Sequence, residues 1–359
     1  DRDEQLRCVA TSAVREAQNR LAFVDRVYIA TGIQIEILDS AEVSRVTYLG
    51  VEPTLSSDPA LFESRAIVIE VGGGTTEVLV VEKGQVLFSH SYNLGSLRLR
   101  QTLASLRAPA SKEREIMENH IDRFLDQSLQ AIGDTSKVPV ELIALGGDFR
   151  FAAAQLRPDH VEESLCTLKI KQLSGLVDEL FSMSIDELVR EHHLSFPDAE
   201  TLSPALLAVL RLAERLDVSG VRVSNMNLRD GLLQEFAGQG MWREEFSEQV
   251  LNSATDLGRK YTFDEAHSQH VAHLSSLLFD GLQDQHRLEG RFRLILKLAA
   301  LLHEIGLFVS ISSYHKHSMY LIQHSELFGL SRRDLMLVSV VARYHHKTSP
   351  KPTHAQFSN

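Results

Sequence analysis

The sequence predicts an α/β protein over roughly its first two-thirds and an all-helical part after it. Three features carry that expectation. Short apolar runs of strand length alternate with longer amphipathic stretches as far as residue 237. Two of those runs are joined by the turn Gly72-Gly73-Gly74. Beyond Gly238-Gln239-Gly240 the strand patterns stop, and 11 of the 16 histidines fall between His267 and His354. That break is the main boundary, so the expected parts are 1–50, 51–237 and 238–359.

In chain order, Val9-Ala10 reads as the end of a strand, and Thr11 or Ser12 as the N-cap of a helix reaching about Leu21. A second helix over 21–30 is closed by Gly32. Residues 33–38 alternate as a strand. Asp39 then caps a helix running to Leu49, and Asp39 with Glu42 has capping-box spacing. Residues 51–64, with Pro53, Ser56, Ser57, Asp58 and Pro59, read as a loop. Strands flank the glycine turn, and Lys83-Gly84 turns into a third strand over 85–91. Asn93 to Ser96 leads into a helical region reaching Ile132, and 140–145 is a buried strand ending in Gly146-Gly147-Asp148. Residues 158–194 read as helical, followed by a helix over 204–216 and a strand over 220–224. From 241 to about Arg343 the pattern is helical throughout.

The net charge of −11 argues against nucleic acid as a partner, because counterion release needs a basic surface. A polyanion would have to meet a local basic cluster instead. Cys8 and Cys166 show neither pairing nor metal spacing, as expected of a cytoplasmic protein. No apolar run reaches transmembrane length and the charged start is no signal peptide, so no membrane partner is expected.

The chemistry concentrates at the glycine turn. Gly72, Gly73 and Gly74 are expected to take positive φ and let backbone N–H groups converge, an arrangement that suits phosphate. Thr75 and Thr76 add hydroxyls, and Glu70 and Glu77 add carboxylates able to hold a metal or a water. The plain alternative is a tight hairpin whose glycines serve turn geometry alone.

Several segments together carry a resemblance. They are Ala10-Thr-Ser-Ala-Val-Arg-Glu-Ala-Gln-Asn19, the Gly-Gly-Gly-Thr-Thr-Glu turn, Asn93-Leu-Gly-Ser-Leu-Arg98 and Ala144-Leu-Gly-Gly147. The series continues with Ser224 to Gly231, then His303-Glu-Ile-Gly306 and Arg343-Tyr-His345. In this order the chain resembles the exopolyphosphatase/guanosine pentaphosphatase (Ppx/GppA) family over nearly its whole length. The resemblance implies two actin-like (ribonuclease H-like) α/β domains around a cleft, then a helical domain like a relict HD phosphohydrolase. It implies removal of the terminal phosphate from polyphosphate or guanosine pentaphosphate with Mg²⁺ assisting, and a homodimer. Carried over by position, Gly72, Gly73, Gly74, Thr75 and Thr76 form a phosphate loop. Arg15 is a phosphate-facing cation, and Glu70 and Glu77 belong to the metal and water shell.

Four departures from the family pattern stand out. The family's opening Asp-x-Gly-Ser-Asn-Ser loop is absent: the expectation is a chain that starts after it, the alternative a protein that has lost it, and the glycine turn is then one jaw of a two-jaw clamp. The family's Glu-Glu-Ala-Arg reads Glu42-Val43-Ser44-Arg45, so Val43 falls on the glutamate expected to orient water and Glu42 on its neighbour. Adjacent helical residues point ~100° apart, so Glu42 cannot replace its neighbour without a register change; it is a catalytic candidate, with the partner of an Asp39 capping box as the plainer expectation. Glu70 stands where the family usually has Asp. Gly146 to Arg150 lacks the small Gly-Thr that often follows such a strand, and Phe149 and Phe151 read as packing residues.

In the helical part, His267 and His270 share a helix face, and His303-Glu304 ends the apolar run 294–302. The spacing fits an HD-type fold with Glu304 in place of the central Asp and no late Asp to complete a ligand set. Histidines left at the core and rim of an inherited fold are the simpler expectation. His315, Lys316 and His317 with Arg343, His345, His346 and Lys347 are a candidate basic surface or dimer contact. Three functions remain open: a Mg²⁺-dependent phosphohydrolase, a catalytically degenerate polyphosphate- or nucleotide-binding regulator, and residual HD-type metallophosphohydrolase activity.

Overall fold

A computed structural model describes residues 6–107, 109–133, 138–160, 165–237, 244–325, 327–346 and 349–350. Gly238 to Gly240, Lys347 and His354 lie outside the described residues. The chain divides into two units, Asp1–Ala237 and Gly238–Asn359.

The first unit opens with two short parallel strands, β1 (Cys8–Ala10) and β2 (Ile35–Ile37). The helix expected over 12–21 is one turn only, Ser12–Arg15. Three-residue bonds, Ala17 N–H to Val14 O (3.2 Å) and Arg20 N–H to Ala17 O (3.1 Å), carry the chain round Gln18 and Asn19. Asn disfavours helix interiors because its side chain competes for backbone groups. The next helix, Arg20–Thr31, ends on Gly32 at φ 72°.

The Asp39 capping box forms as the spacing predicts: Asp39 accepts from Glu42 N–H (3.0 Å) and Glu42 accepts from Asp39 N–H (2.8 Å). Its helix runs from Ser40 to Ser57, straight through Pro53, so the loop expected over 51–64 is largely helix. A proline removes one intrahelical bond, but Val51 and Leu55 are buried on either side of it and hold the helical path. Pro59 opens the next turn, Pro59–Phe62, behind an Asp58 N-cap. A division between residues 50 and 51 would therefore run through a helix.

A six-stranded mixed sheet follows. Its strands are β3 (Arg65–Val71), β4 (Thr76–Glu82), β5 (Gln85–Tyr92), β6 (Val140–Leu145), β7 (Leu165–Lys169) and β8 (Gly220–Ser224), in the order β5-β4-β3-β6-β8-β7. β3, β6 and β8 run parallel, whereas β4, β5 and β7 are antiparallel to their neighbours. Lys83 (φ 51°) and Gly84 (φ 73°) make the two-residue β4–β5 turn, whose positive φ values match strand twist. β7 lies in a stretch expected to be helical. Cys166 and Leu168 are buried while Thr167 and Lys169 are exposed, a period of two that pairs it against β8.

Both sheet faces are covered. Ile67, Ile69 and Val71 join the core beneath helices Glu113–Ile132 and Phe196–Arg215. The latter begins eight residues before the expected start, behind a Ser195 cap, and buries its middle, Pro204 included. On the opposite face Ala66 and Val68 are also buried, and Tyr48 of Ser40–Ser57 donates to Gly84 O (3.0 Å). Helix Leu228–Ala237 crosses Ser40–Ser57 so closely that a Cβ on Gly231 would stand 2.0 Å from Val46 O. Glu235 there pairs with the buried Arg45 and with Arg7 (2.6 Å).

The described residues of the second unit hold helices and no strand. They are Glu244–Lys260, Glu265–Gly281, Gln283–His286, Gly290–Leu302, a 3₁₀ turn Ile305–Phe308, Tyr314–Gln323 and Arg332–Arg343. Leu298, Leu302, Ile322, Leu330 and Val338 lie in its core. Ser318 donates to His303 O (2.7 Å) and accepts from Gly306 N–H (2.9 Å), pinning the 3₁₀ turn. No described helix is long and apolar enough to cross a membrane.

Candidate phosphate-binding cleft

The glycine turn joins β3 to β4, two strands apolar enough to be buried on both faces. None of Gly72, Gly73 and Gly74 has positive φ among the glycines that do, so the expected left-handed backbone is not what they supply. They supply closeness. Gly72 N–H closes the turn on Thr75 O (2.8 Å), and Gly95 packs so tightly that a Cβ there would meet Gly73 O at 2.3 Å.

Gly95 precedes helix Ser96–Leu106, whose first amides turn onto the loop's carbonyls. Ser96 N–H donates to Gly72 O (2.9 Å), and Leu97 and Arg98 N–H both donate to Gly73 O (3.1 Å). The carbonyls are thus satisfied by a helix N-terminus, while the amides of Gly73, Gly74 and Thr75 enter no backbone bond in the turn. Unpaired N–H groups beside the positive end of a helix favour an anion.

Glu70 and Glu77 are direct partners across the β3–β4 pair, so their side chains share one face. Ser91 on β5 donates to Glu77 Oε1 (2.6 Å), while Glu77 Oε2 is buried with no partner. Burial pushes the Glu77 carboxyl up to about 7; Glu70 adds to the rise, while Ser91, Thr75 and Arg15 oppose it. Burial likewise raises Glu70, opposed by Arg150. Two adjacent carboxylates, one with an open buried oxygen, are hard donors of the kind Mg²⁺ takes, so the residues fit such an ion.

The remaining sequence candidates divide. Ser12 Oγ approaches Gly74, 3.4 Å from where its Cβ would lie, so the one-turn helix stands beside the glycine turn. Arg15 on that helix donates to Leu38 O (2.9 Å) and acts on Glu77 through its charge. Thr75 hydrogen-bonds Glu77, whereas the buried Thr76 donates to Leu94 O (2.5 Å) and ties the turn to the following loop. Glu42 is occupied by its capping box, with its carboxyl raised by burial, and Val43 beside it is buried.

Arg150 was not singled out as a site residue by the sequence. β6 lies parallel to β3 with Leu145 opposite Glu70, so both strands end at the same edge, where ligands of α/β sheets gather. Helix Gly147–Leu156 starts there after Gly146 (φ 118°), and it carries Arg150 near enough for its charge to act on Glu70. Arg150 Nη1 is buried without a partner. Asp148 nearby is pushed up to about 6 by burial and by Asp198, with Arg150 opposing. Phe149 is core and Phe151 packs against it, as the sequence predicts. The only local signal for Arg150 is a cation four residues beyond a strand-ending glycine.

In the second unit, His267, His303 and Glu304 converge, whereas His270, on the same predicted face as His267, is not among them. His345 accompanies His303 with ring centroids 4.8 Å apart.

Comparison with known proteins agrees with this architecture. A guanosine-5'-triphosphate,3'-diphosphate pyrophosphatase of Vibrio vulnificus (strain YJ016) is 24% identical over 371 residues, covering 99% of this chain and 69% of the relative. The protein of that name from Vibrio cholerae (El Tor Inaba N16961) is 24% identical over 359 residues, covering 97% and 68%. The crystal structure of an exopolyphosphatase from Cytophaga hutchinsonii superimposes with a TM-score of 0.56 at 22% identity, over 65% of this chain and 74% of that one. An Aquifex aeolicus Ppx/GppA family member gives 0.54 at 21% identity, over 66% and 75%. At those identities the likeness is one of fold. Residues 2–239 match the Ppx/GppA phosphatase family and residues 250–359 match Ppx/GppA phosphatase, domain III. The chain belongs to the Ppx/GppA phosphatase family.

Proposed function

We propose that the protein hydrolyses the terminal phosphoryl group of inorganic polyphosphate or guanosine pentaphosphate. The observation that carries this reading is the Glu70–Glu77 pair beside the glycine turn, with Glu77 Oε2 and Arg150 Nη1 both buried and unpartnered. A buried unpartnered polar atom is destabilising, and open groups of opposite kind at one sheet edge are what a phosphate and its water would satisfy. The relatives' names supply the substrate class.

In this reading the terminal phosphate rests on the amides of Gly73, Gly74 and Thr75, with the Arg150 guanidinium on its oxygens and Arg15 adding positive charge. Glu77 Oε2 holds a water in line with the scissile anhydride and accepts its proton as the new P–O bond forms. The anhydride P–O bond breaks, leaving orthophosphate and a product shorter by one phosphate. Mg²⁺, when bound, would be held by Glu70 and Glu77 and would neutralise charge on the phosphoryl oxygens. The helical unit is read as a relict HD-type domain, on the spacing of its histidines and the family resemblance.

The test is phosphate release from long-chain polyphosphate and from guanosine pentaphosphate with Mg²⁺. Glu77→Gln and Glu70→Gln are expected to lose at least ~100-fold in kcat. Glu42→Gln should keep most activity, because Gln also completes a capping box. Unchanged activity in the first two variants would show that the site lies elsewhere. A second reading, a binding protein without turnover, is favoured by buried Val43 and by the commitment of Glu42 to its cap. Tight polyphosphate binding by the wild type with no phosphate release would establish it.

A further inference from the structure

The helical unit carries a second convergence of donor groups that phosphate hydrolysis at the glycine turn does not use. His267 stands in helix Glu265–Gly281, while His303 and Glu304 follow helix Gly290–Leu302. One donor atom from each lies within 4.8 Å of the other two. His267 Nε2 is 3.8 Å from Glu304 Oε2, and His303 Nε2 is 3.7 Å from Glu304 Oε1. These separations are too long for hydrogen bonds. The three groups therefore approach one another without satisfying one another.

The nearby contacts leave the right atoms open. His303 Nδ1 bonds Ala300 O at 2.7 Å, which puts its proton on Nδ1 and leaves the Nε2 lone pair facing the cluster. A backbone carbonyl on the far nitrogen is the usual way a metal-binding imidazole is oriented. His345, packed against His303, is otherwise engaged: its Nε2 bonds the Tyr314 hydroxyl at 3.0 Å. Tetrahedral coordination with bonds of ~2.0–2.1 Å sets neighbouring donors about 3.3–3.4 Å apart. With all three donor atoms within 4.8 Å of one another, the cluster needs to contract by at most about 1.5 Å. The His303 side chain is 9% exposed and fixed, while that of His267 is 49% exposed and free to adjust.

We propose that His267 Nε2, His303 Nε2 and a Glu304 carboxylate oxygen bind one divalent transition-metal ion of the Zn²⁺ class, with at least one coordination position left to water or a phosphoryl oxygen. Two imidazoles and one carboxylate form a borderline donor set that suits Zn²⁺ or Fe²⁺, whereas Mg²⁺ takes oxygens. The three ligands are none of the residues of the glycine-turn cleft, so the proposal stands or falls independently of the phosphohydrolase reading.

Zn²⁺ is the probe. The tag-free full chain is stripped with a chelator, dialysed, and titrated with Zn²⁺ by calorimetry, with bound metal measured by elemental analysis. Wild type should bind one more tightly held Zn²⁺ per chain than His267→Ala or Glu304→Gln, each weakening that event at least ~tenfold. Glu70→Gln should leave it unchanged. His267 is exposed, so its variant folds even if a His303 variant does not. Co²⁺ replacing Zn²⁺ should give visible absorption bands that His267→Ala abolishes. Either of two results overturns the proposal: wild type takes up no more Zn²⁺ than the two variants, or the variants bind as tightly as wild type, which would assign the ion to other histidines.

Discussion

Replacing Glu77 with Gln is expected to stabilise the protein at neutral pH while removing its activity. The Glu77 carboxyl titrates at about 7 in the fold against 4.5 unperturbed. At ~1.4 kcal/mol per pH unit, keeping it ionised in the fold costs about 3 kcal/mol. Below pH 4.5 the group is protonated in both states and the penalty is absent. Between 4.5 and about 7 the folded chain holds the proton more tightly than the unfolded one, so stability falls as pH rises. Above 7 the whole penalty is present. Gln keeps the acceptor for the Ser91 hydroxyl and carries no charge against Glu70. Urea denaturation followed by circular dichroism, in chelator from pH 5 to pH 8, should show wild type losing roughly 2–3 kcal/mol relative to Glu77→Gln. Because Glu70 and Glu77 titrate as a pair, the difference belongs to the pair. Mg²⁺ should narrow the gap at pH 8 by binding the ionised wild-type pair more strongly than the variant. Parallel pH profiles for the two proteins would refute the burial of an open, strained carboxylate at this position.

Two further substitutions separate binding from architecture. Arg150→Met keeps the apolar stem but removes the buried, unpartnered Nη1; it should raise KM for polyphosphate at least ~tenfold without lowering the denaturation midpoint, and an unchanged KM would remove Arg150 from the cleft. Gly95→Ala would set a Cβ 2.3 Å from Gly73 O, costing about 1–3 kcal/mol and displacing the turn. Gly175→Ala, in helix Ile170–Ser182 with nothing within 4 Å, should instead add up to ~1 kcal/mol; thermal unfolding of the two variants side by side checks both signs.

Much of the local architecture was legible in the chain. Capping chemistry acts over three or four residues, which is why the Asp39–Glu42 box and the Gly32 helix stop form as the spacing predicts. The glycine hairpin and the Lys83-Gly84 turn are equally local. Proline misled twice. Helices Ser40–Ser57 and Phe196–Arg215 run through Pro53 and Pro204, because buried apolar neighbours outweigh one lost backbone bond. β7 was hidden by its length: five alternating residues stand between helical stretches, and only β8 gives them a partner.

The hairpin, its glycines and its flanking acids are legible in the chain alone, since each depends on the residues beside it. Tertiary structure decided what those residues do. The register of β3 against β4 made Glu70 and Glu77 neighbours, and the parallel alignment of β6 brought the charge of Arg150 to bear on Glu70. The contact of Gly95 with Gly73 turned the loop carbonyls toward a helix N-terminus, leaving the amides free. In the second unit two helices brought His267 to His303 and Glu304 and left His270 aside. Local rules fix which groups a segment carries; which groups meet, and which are left unpaired in the interior, depends on packing between segments distant in the chain.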